Sequence, residues 1–234
     1  MSKIPRHIHF FWGEPSQPPL MQKCILTWDR HLPGYRRTEW GVNNYDVNKH
    51  PFTKRAFKDK KWAFLSDFIR LDVLYQYGGV YMDTDIEVVK SFDPLLDDGL
   101  FIGMETNTSA CPSVIGVIPK HWLIKEVLDE YNTLDGYLPI PRIFTKVLSK
   151  YTDIPTSDKI QKFDDVTIYP REYFYPFLYD EKFTPKCVTA NTYAIHWWNN
   201  SWGDKHKKIL SKLGLLVPAA KIKGSVRSIL LKFR

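Results

Sequence analysis

Three observations predict an α/β fold for this chain. At 234 residues it is long enough for one sizeable α/β domain and short for two. Its most informative stretch, Trp62 to Glu87, runs from a helical apolar pattern through a Gly-Gly pair into a short β-branched and aromatic segment, the order helix, stop, strand. Further β-prone stretches and helical patterns lie on either side of it.

Near the N-terminus Ile8 and Phe10 alternate with His7, His9 and Phe11, which predicts a first strand with Trp12 at its end. Taken alone, Trp12 reads as core packing, since buried aromatics usually supply packing area, and His9 reads as a structural histidine. From Ala63 to Tyr77 the apolar residues Phe64, Leu65, Phe68, Ile69, Leu71, Val73 and Leu74 recur too densely for a surface helix. The run is also too long for a strand, so a mostly buried helix is predicted. Ser66, Asp67 and Arg70 interrupt it at spacings of three and four, which puts them on one face and lets Asp67 meet Arg70. Two readings stay open there: an architectural ion pair, or an Asp67 that accepts sugar hydroxyls beside an Arg70 that offers its planar fork to a carboxylate or phosphate.

Gly78 and Gly79 end the helix, where a left-handed residue is needed, and Val80-Tyr81-Met82 has the character of a short buried strand. Leu100–Gly103 and Val114–Ile118 are read as further strands separated by the polar loop Glu105–Ser109. Helices are expected over His121–Asn132 and Arg142–Lys150, each following a proline. No residue of that middle region is given a functional role. The β-prone Thr192–Ile195 leads to His196, and three tryptophans fall within six residues, Trp197, Trp198 and Trp202, a composition that suits a loop closing over a ligand.

Asp83 and Asp85 stand two residues apart at the end of the central strand. The chain has 18 aspartates, so a chance Asp-x-Asp is unremarkable, and context carries the inference. Ligands bind at the carboxyl ends of strands in open α/β sheets. A hard cation such as Mg²⁺ or Mn²⁺ takes its oxygens from a few protein groups together with the substrate's phosphates. The pair therefore suits a divalent ion holding a diphosphate, and the chain reads as an enzyme acting on a nucleotide-linked substrate. Neutral imidazole is a common ligand for Mn²⁺-like ions, which makes His196 a third candidate.

With these residues in hand, the chain resembles the DXD-containing sugar transferases of glycosyltransferase family 32, which includes capsular polysaccharide and lipopolysaccharide enzymes, and is similar to the glucosyltransferase domains of large clostridial toxins. The resemblance rests on Ile4–Gly13, on Ser66, Asp67 and Arg70 with Gly78–Asp85, on Ile168–Pro170 with Phe174–Pro176, and on His196-Trp197 with Ser201-Trp202, in that order along residues 4 to 202. It implies a GT-A fold, a mostly parallel mixed sheet flanked by helices, and a retaining hexosyltransferase that uses a nucleotide sugar, UDP-sugars favoured, with Mn²⁺ or Mg²⁺. It further implies that Trp12 stacks on the nucleobase, and that Ser66, Asp67, Arg70 and Tyr81 serve the donor sugar. Asp83 meets ribose, sugar or metal, Asp85 binds the metal with His196 as a further ligand, and Ser201 and Trp202 belong to a closing loop. Where family members often have Thr-Gly-Pro, this chain has Leu138-Pro139-Ile140-Pro141-Arg142, so no contact is carried over there.

Charge divides the chain. Residues 205–234 hold nine Lys and Arg and no acid, so the +7 net charge belongs to the tail; the remaining 204 residues carry 24 basic and 26 acidic side chains. The expected organisation is a transferase domain over 1–204 and a basic amphipathic tail over 205–234. Ile222, Val226, Ile229, Leu230 and Phe233 at helical spacing suggest an interfacial helix that docks on anionic lipid, where a lipid-linked acceptor would be found. Cys24, Cys111 and Cys187 have no paired spacing, which disfavours a disulfide framework or a zinc site. No signal peptide, membrane span or nucleic-acid module is visible, so the expectation is a cytoplasmic protein, peripheral on the inner face of the membrane. A nucleotide-sugar-binding module without catalysis and a nucleotide-sugar hydrolase are the alternatives.

Overall fold

The computed structural model describes residues 3–13, 16–153 and 159–199. In chain order the described elements are β1 (His7–Phe11), α1 (Pro19–His31), β2 (Arg36–Trp40), α2 (Pro51–Lys58), α3 (Trp62–Tyr77), β3 (Gly79–Met82), β4 (Ile86–Val88), β5 (Leu100–Thr106), β6 (Ser109–Val117), α4 (Trp122–Glu130), α5 (Ile140–Leu148), β7 (Gln161–Phe163), β8 (Val166–Tyr169) and β9 (Ala194–His196). Seven strands form one sheet in the order β2-β1-β3-β6-β5-β8-β7, and β4 pairs with β9 in a separate ribbon. Five strands of the large sheet, β1, β2, β3, β5 and β8, run one way; β6 and β7 oppose them.

Parallel neighbours need crossover connections, and here α1 links β1 to β2 while α2 and α3 link β2 to β3. β1 therefore lies inside the sheet, and Ile8, His9, Phe10 and Phe11 are all buried instead of alternating in and out. The main core packs Leu65, Ile69 and Val73 of α3 with Ile102, Ile115 and Phe144. α1 is fastened to β4: the Trp28 indole donates to the Ile86 carbonyl at 2.6 Å, and the Val88 amide donates to the Thr27 hydroxyl at 2.9 Å.

The helix expected over 63–77 spans Trp62–Tyr77, and the two glycines end it for steric reasons. Gly78 has φ +62° and Gly79 φ +104°. A Cβ on Gly79 would lie 2.4 Å from the His7 carbonyl oxygen. The expected loop Glu105–Ser109 shrinks to a two-residue turn, because β5 and β6 are longer than their apolar stretches and close as a hairpin. The helix expected over 142–150 begins earlier, at Ile140, with Pro139 in the capping position.

β1 and β3 are parallel neighbours in the register Ile8↔Val80 and His9↔Tyr81, so the carboxyl ends bearing Trp12 and Asp83 emerge at one edge of the sheet. β2 lies on the other side of β1, which makes this a point where strand order reverses, the position at which open α/β sheets bind ligands. The compact unit that holds these elements is Met1–Trp198. Ser201, Trp202, the boundary at 204 and the basic tail lie outside the described residues. No described helix is long and apolar enough to cross a membrane.

Candidate active site

The site is built on a tight turn. After β3 the chain turns through Asp83, Thr84 and Asp85 into β4, held by the Ile86 amide donating to the Asp83 carbonyl at 3.1 Å. β4 then pairs with β9 in the register Ile86↔His196, which sets His196 beside Asp85 although 111 positions separate them. His196 Nε2 lies 3.2 Å from Asp85 Oδ1, and the Trp197 amide donates to the Asp85 carbonyl at 3.1 Å. Ligand atoms of Asp83, Asp85 and His196 all lie within 4.8 Å of one another.

Arg70 ties this turn to α3. Its Nη2 donates to Asp83 Oδ1 at 2.8 Å and lies 3.5 Å from Asp67 Oδ1, its Nη1 donates to the Pro112 carbonyl at 2.6 Å, and its guanidinium sits 4.4 Å from the centre of the Tyr81 ring. Its Nε is buried with no hydrogen-bond partner. Burial opposes the guanidinium charge, but Asp83, Tyr81 and Asp67 outweigh it and hold Arg70 more firmly protonated than usual. The expected meeting of Asp67 with Arg70 is there, yet the tighter partner is Asp83. Burial pushes the Asp67 carboxyl up to about 7 despite the opposing pull of Arg70, with Asp83 adding to the rise; its Oδ2 accepts the Ile140 amide at 3.2 Å.

The remaining expected residues fall as follows. Ser66 is buried and its hydroxyl donates to the Ala63 carbonyl at 2.7 Å, within its own helix. Tyr81 is buried beneath Arg70. Trp12 is only 4 % exposed and its indole donates to the Ser16 carbonyl at 3.1 Å, so a base reaches its face only after the surrounding chain moves. His9 is fully buried, taking the Trp40 indole proton on Nδ1 at 3.1 Å and donating from Nε2 to the Gly78 carbonyl at 2.9 Å. Ser201 and Trp202 lie outside the described residues.

Sequence reasoning gave no role to the irregular start of β6, and the site leans on it. Between Cys111 and Val114 the carbonyls turn to distinct partners: Cys111 accepts the Tyr175 hydroxyl at 2.5 Å, Pro112 accepts Arg70, and Ser113 accepts the Asp83 amide at 2.9 Å. The Val114 amide donates back to the Tyr175 oxygen at 3.2 Å. Pro112 just ahead of the β-prone Val114–Ile118 was the available signal, since proline within a sheet marks edges and bulges. Around His196, the Trp198 ring lies 4.0 Å and the Tyr175 ring 5.9 Å from its own, centre to centre. Trp198 holds φ +52°, a left-handed conformation rare for a bulky residue, and its indole donates to the Phe177 carbonyl at 2.8 Å. Burial pulls the His196 pKa down, but Asp85, and behind it Asp83 and Glu105, outweigh this and leave it raised.

The donor set of two carboxylates and an imidazole fits a divalent ion of the Mg²⁺ or Mn²⁺ type. His196 Nδ1 is buried without a hydrogen-bond partner, the kind of orphaned donor atom that a ligand would satisfy.

Two family models match. The one described as a glycosyltransferase sugar-binding region containing the DXD motif covers residues 18–102 and so includes both aspartates. The α-1,4-glycosyltransferase conserved region covers residues 119–217 and reaches His196. Among curated proteins, the mouse lactosylceramide 4-α-galactosyltransferase is 29% identical over 161 residues, 63% of this chain and 44% of that protein. The inositol phosphoceramide mannosyltransferase 1 of Schizosaccharomyces pombe is 33% identical over 158 residues, 62% of this chain and 47% of that protein. The chain thus spans less than half the length of these relatives. Among solved structures, the PaToxG glycosyltransferase superposes with a TM-score of 0.50 at 21% identity over 63% of this chain and 68% of that one, which speaks to the fold. With the DXD turn, the β9 histidine and both matches in place, the chain is similar to the DXD-containing glycosyltransferases and shares their GT-A fold.

Proposed function

We propose that this protein is a divalent-cation-dependent glycosyltransferase that moves a hexose from a nucleotide sugar to a glycan or glycolipid. The observation that carries the reading is the convergence of Asp83, Asp85 and His196 within 4.8 Å at the carboxyl end of β3, where the strand order reverses. A Mn²⁺ or Mg²⁺ ion held by these three would supply Lewis-acid neutralisation of the charge that develops on the departing nucleoside diphosphate.

The protein groups act around that centre. Arg70 holds the Asp83 carboxylate in place and shares its charge, and Asp67, whose carboxyl is pushed up to about 7 by burial, carries its proton part of the time near neutral pH and can then both donate to and accept from a donor-sugar hydroxyl. Trp12 stands at the neighbouring strand end, where a nucleobase would lie if the diphosphate occupies the turn. The anomeric configuration is retained in this reading, and UDP-sugars are the favoured donors.

The relatives named above carry galactosyl and mannosyl activities in their names and ceramide lipids as acceptors. A ceramide-type or other lipid-linked glycan is accordingly the first acceptor class to test, and the basic tail, which lies outside the described residues, would bring the enzyme to an anionic membrane where such acceptors reside. Incubating the protein with UDP- and GDP-hexoses and Mn²⁺, with and without lactosylceramide, separates the readings. Cation-dependent product on the acceptor is expected, and Asp85→Ala should lower it at least a hundredfold. Release of free hexose irrespective of acceptor would favour a hydrolase, and tight donor binding without turnover would favour a binding module.

A further inference from the structure

A histidine that ligates a metal usually has its ring fixed through its second nitrogen, which donates to a carboxylate, a carbonyl or water. His196 has no such anchor among the described residues. Its Nδ1 is buried with no hydrogen-bond partner, and its Nε2 lies 3.2 Å from Asp85, itself a candidate ligand. The imidazole is instead enclosed by two rings. Trp198 lies 4.0 Å away, centre to centre, tilted by 37°; Tyr175 lies 5.9 Å away, edge-on at 64°; and those two rings are 6.1 Å apart, so each of the three touches the others. Packing sets the plane of the imidazole.

Each ring is itself held from outside. The Trp198 indole donates to the Phe177 carbonyl at 2.8 Å, and its backbone stays at φ +52°, a left-handed conformation that persists in a bulky residue only where the surroundings enforce it. The residue before it is pinned to β4: the Trp197 indole donates to Glu87 Oε2 at 2.8 Å and its amide to the Asp85 carbonyl at 3.1 Å. Tyr175 is fully buried and packs on the backbone of Gly103, where a Cβ would come within 2.9 Å of its ring. Its hydroxyl donates to the Cys111 carbonyl at 2.5 Å and accepts the Val114 amide at 3.2 Å. Between those two residues lie the Pro112 carbonyl that takes Arg70 and the Ser113 carbonyl that takes the Asp83 amide. Tyr175 thus meets both halves of the cation site, His196 with its ring and the strand segment that holds Asp83 with its hydroxyl.

We propose that Tyr175 and Trp198 are positioning residues for the cation ligands: together they hold the His196 imidazole in one plane beside Asp85, and the Tyr175 hydroxyl keeps that imidazole in register with Asp83. Core packing alone accounts for neither the left-handed Trp198 nor an imidazole buried without a hydrogen bond of its own to orient it. The assignment rests on Asp83, Asp85 and His196 being the cation site, and goes beyond it by naming what orients the histidine.

The test uses the full chain and Mn²⁺, and reads three quantities: Mn²⁺ affinity, the imidazole-nitrogen hyperfine coupling of the bound ion by pulsed electron paramagnetic resonance, and stability in urea. Tyr175→Phe keeps the ring and removes the hydroxyl; Trp198→Gly removes the other ring while suiting the left-handed backbone. Leu123→Ala is the control, a buried position on α4, which follows the opposite end of β6. Groups that orient metal ligands typically contribute 10–100-fold to affinity, so Trp198→Gly should weaken Mn²⁺ binding roughly tenfold or more and diminish the nitrogen coupling. Tyr175→Phe should weaken binding less, with the coupling altered, and Leu123→Ala should lose stability while keeping Mn²⁺ affinity within about twofold of wild type. In a His196→Ala background Trp198→Gly should cost no further affinity, because the ring has no ligand left to orient. Wild-type affinity and coupling in both site variants, or losses no larger than those of Leu123→Ala, would overturn the assignment. So would a full additional loss from Trp198→Gly in the His196→Ala background. A wild-type protein that binds no Mn²⁺, or binds it without nitrogen coupling, would instead overturn the cation site as read, and this assignment with it.

Discussion

Arg70 is where the site's electrostatics concentrate. One buried guanidinium serves Asp83, Asp67, the Pro112 carbonyl and the Tyr81 ring at once. Breaking a buried ion pair from one side strands the partner charge, which typically costs about 3–5 kcal/mol. Arg70→Met should therefore destabilise the protein by about that amount in urea unfolding, and Asp67→Asn in the same chain should recover part of the loss by removing one stranded carboxyl. A loss under about 1 kcal/mol would show that the cluster is more hydrated than its burial indicates. The sequence made Asp67 and Arg70 legible as neighbours because three residues separate them on a helix. It did not reveal that Asp83 is the closer partner, because that contact depends on where β3 ends relative to α3.

Among the elements, β1 and the Gly-Gly junction hold the site's edge in register. Gly79→Ala would place a methyl against the His7 carbonyl in a backbone conformation hostile to L-residues, so β1 and β3 must part or shift. An expected destabilisation of about 2–4 kcal/mol, accompanied by weaker Mn²⁺ binding, would show in urea unfolding and calorimetry together.

His9 gives the same junction a pH signature. Burial, with the charges of His7 and Arg36 adding to it against the Gly78 hydrogen bond, lowers its pKa to about 3 from an ordinary 6.5. The unfolded chain takes up a proton below pH 6.5 that the folded chain refuses, so this contribution to stability is complete above pH 6.5 and is lost as pH falls toward 3. Unfolding free energy should drop by about 1.4 kcal/mol per pH unit between pH 6 and 4 on account of His9, and His9→Phe should flatten that slope even if it lowers overall stability. An unaltered slope in the variant would assign the acid sensitivity to other groups.

Helix α3 and strand β3 could be read nearly to the residue because their apolar periods and the two glycines are local signals. β4, β7 and β8 could not: they are three or four residues long, and pairing across the chain creates them.

Across the whole molecule, the site is assembled from segments that the sequence keeps far apart: α3 and the DXD turn, the β5–β6 hairpin, and the β9 strand with its aromatic neighbours. Strand order explains the assembly. The β4–β9 ribbon brings His196 to Asp85, and β6, inserted antiparallel between β3 and β5, brings its irregular carbonyls to Arg70 and Asp83. The metal candidates could be read as residue types with a resemblance behind them, whereas their convergence is a property of topology.

The central claim is that Asp83, Asp85 and His196 hold one divalent ion. Its most direct test is a titration of the protein with Mn²⁺, free ion followed by electron paramagnetic resonance, in the presence of UDP. A single site is predicted for wild type, weakened at least tenfold in Asp85→Asn and in His196→Ala. Wild-type affinity retained in both variants would contradict the account.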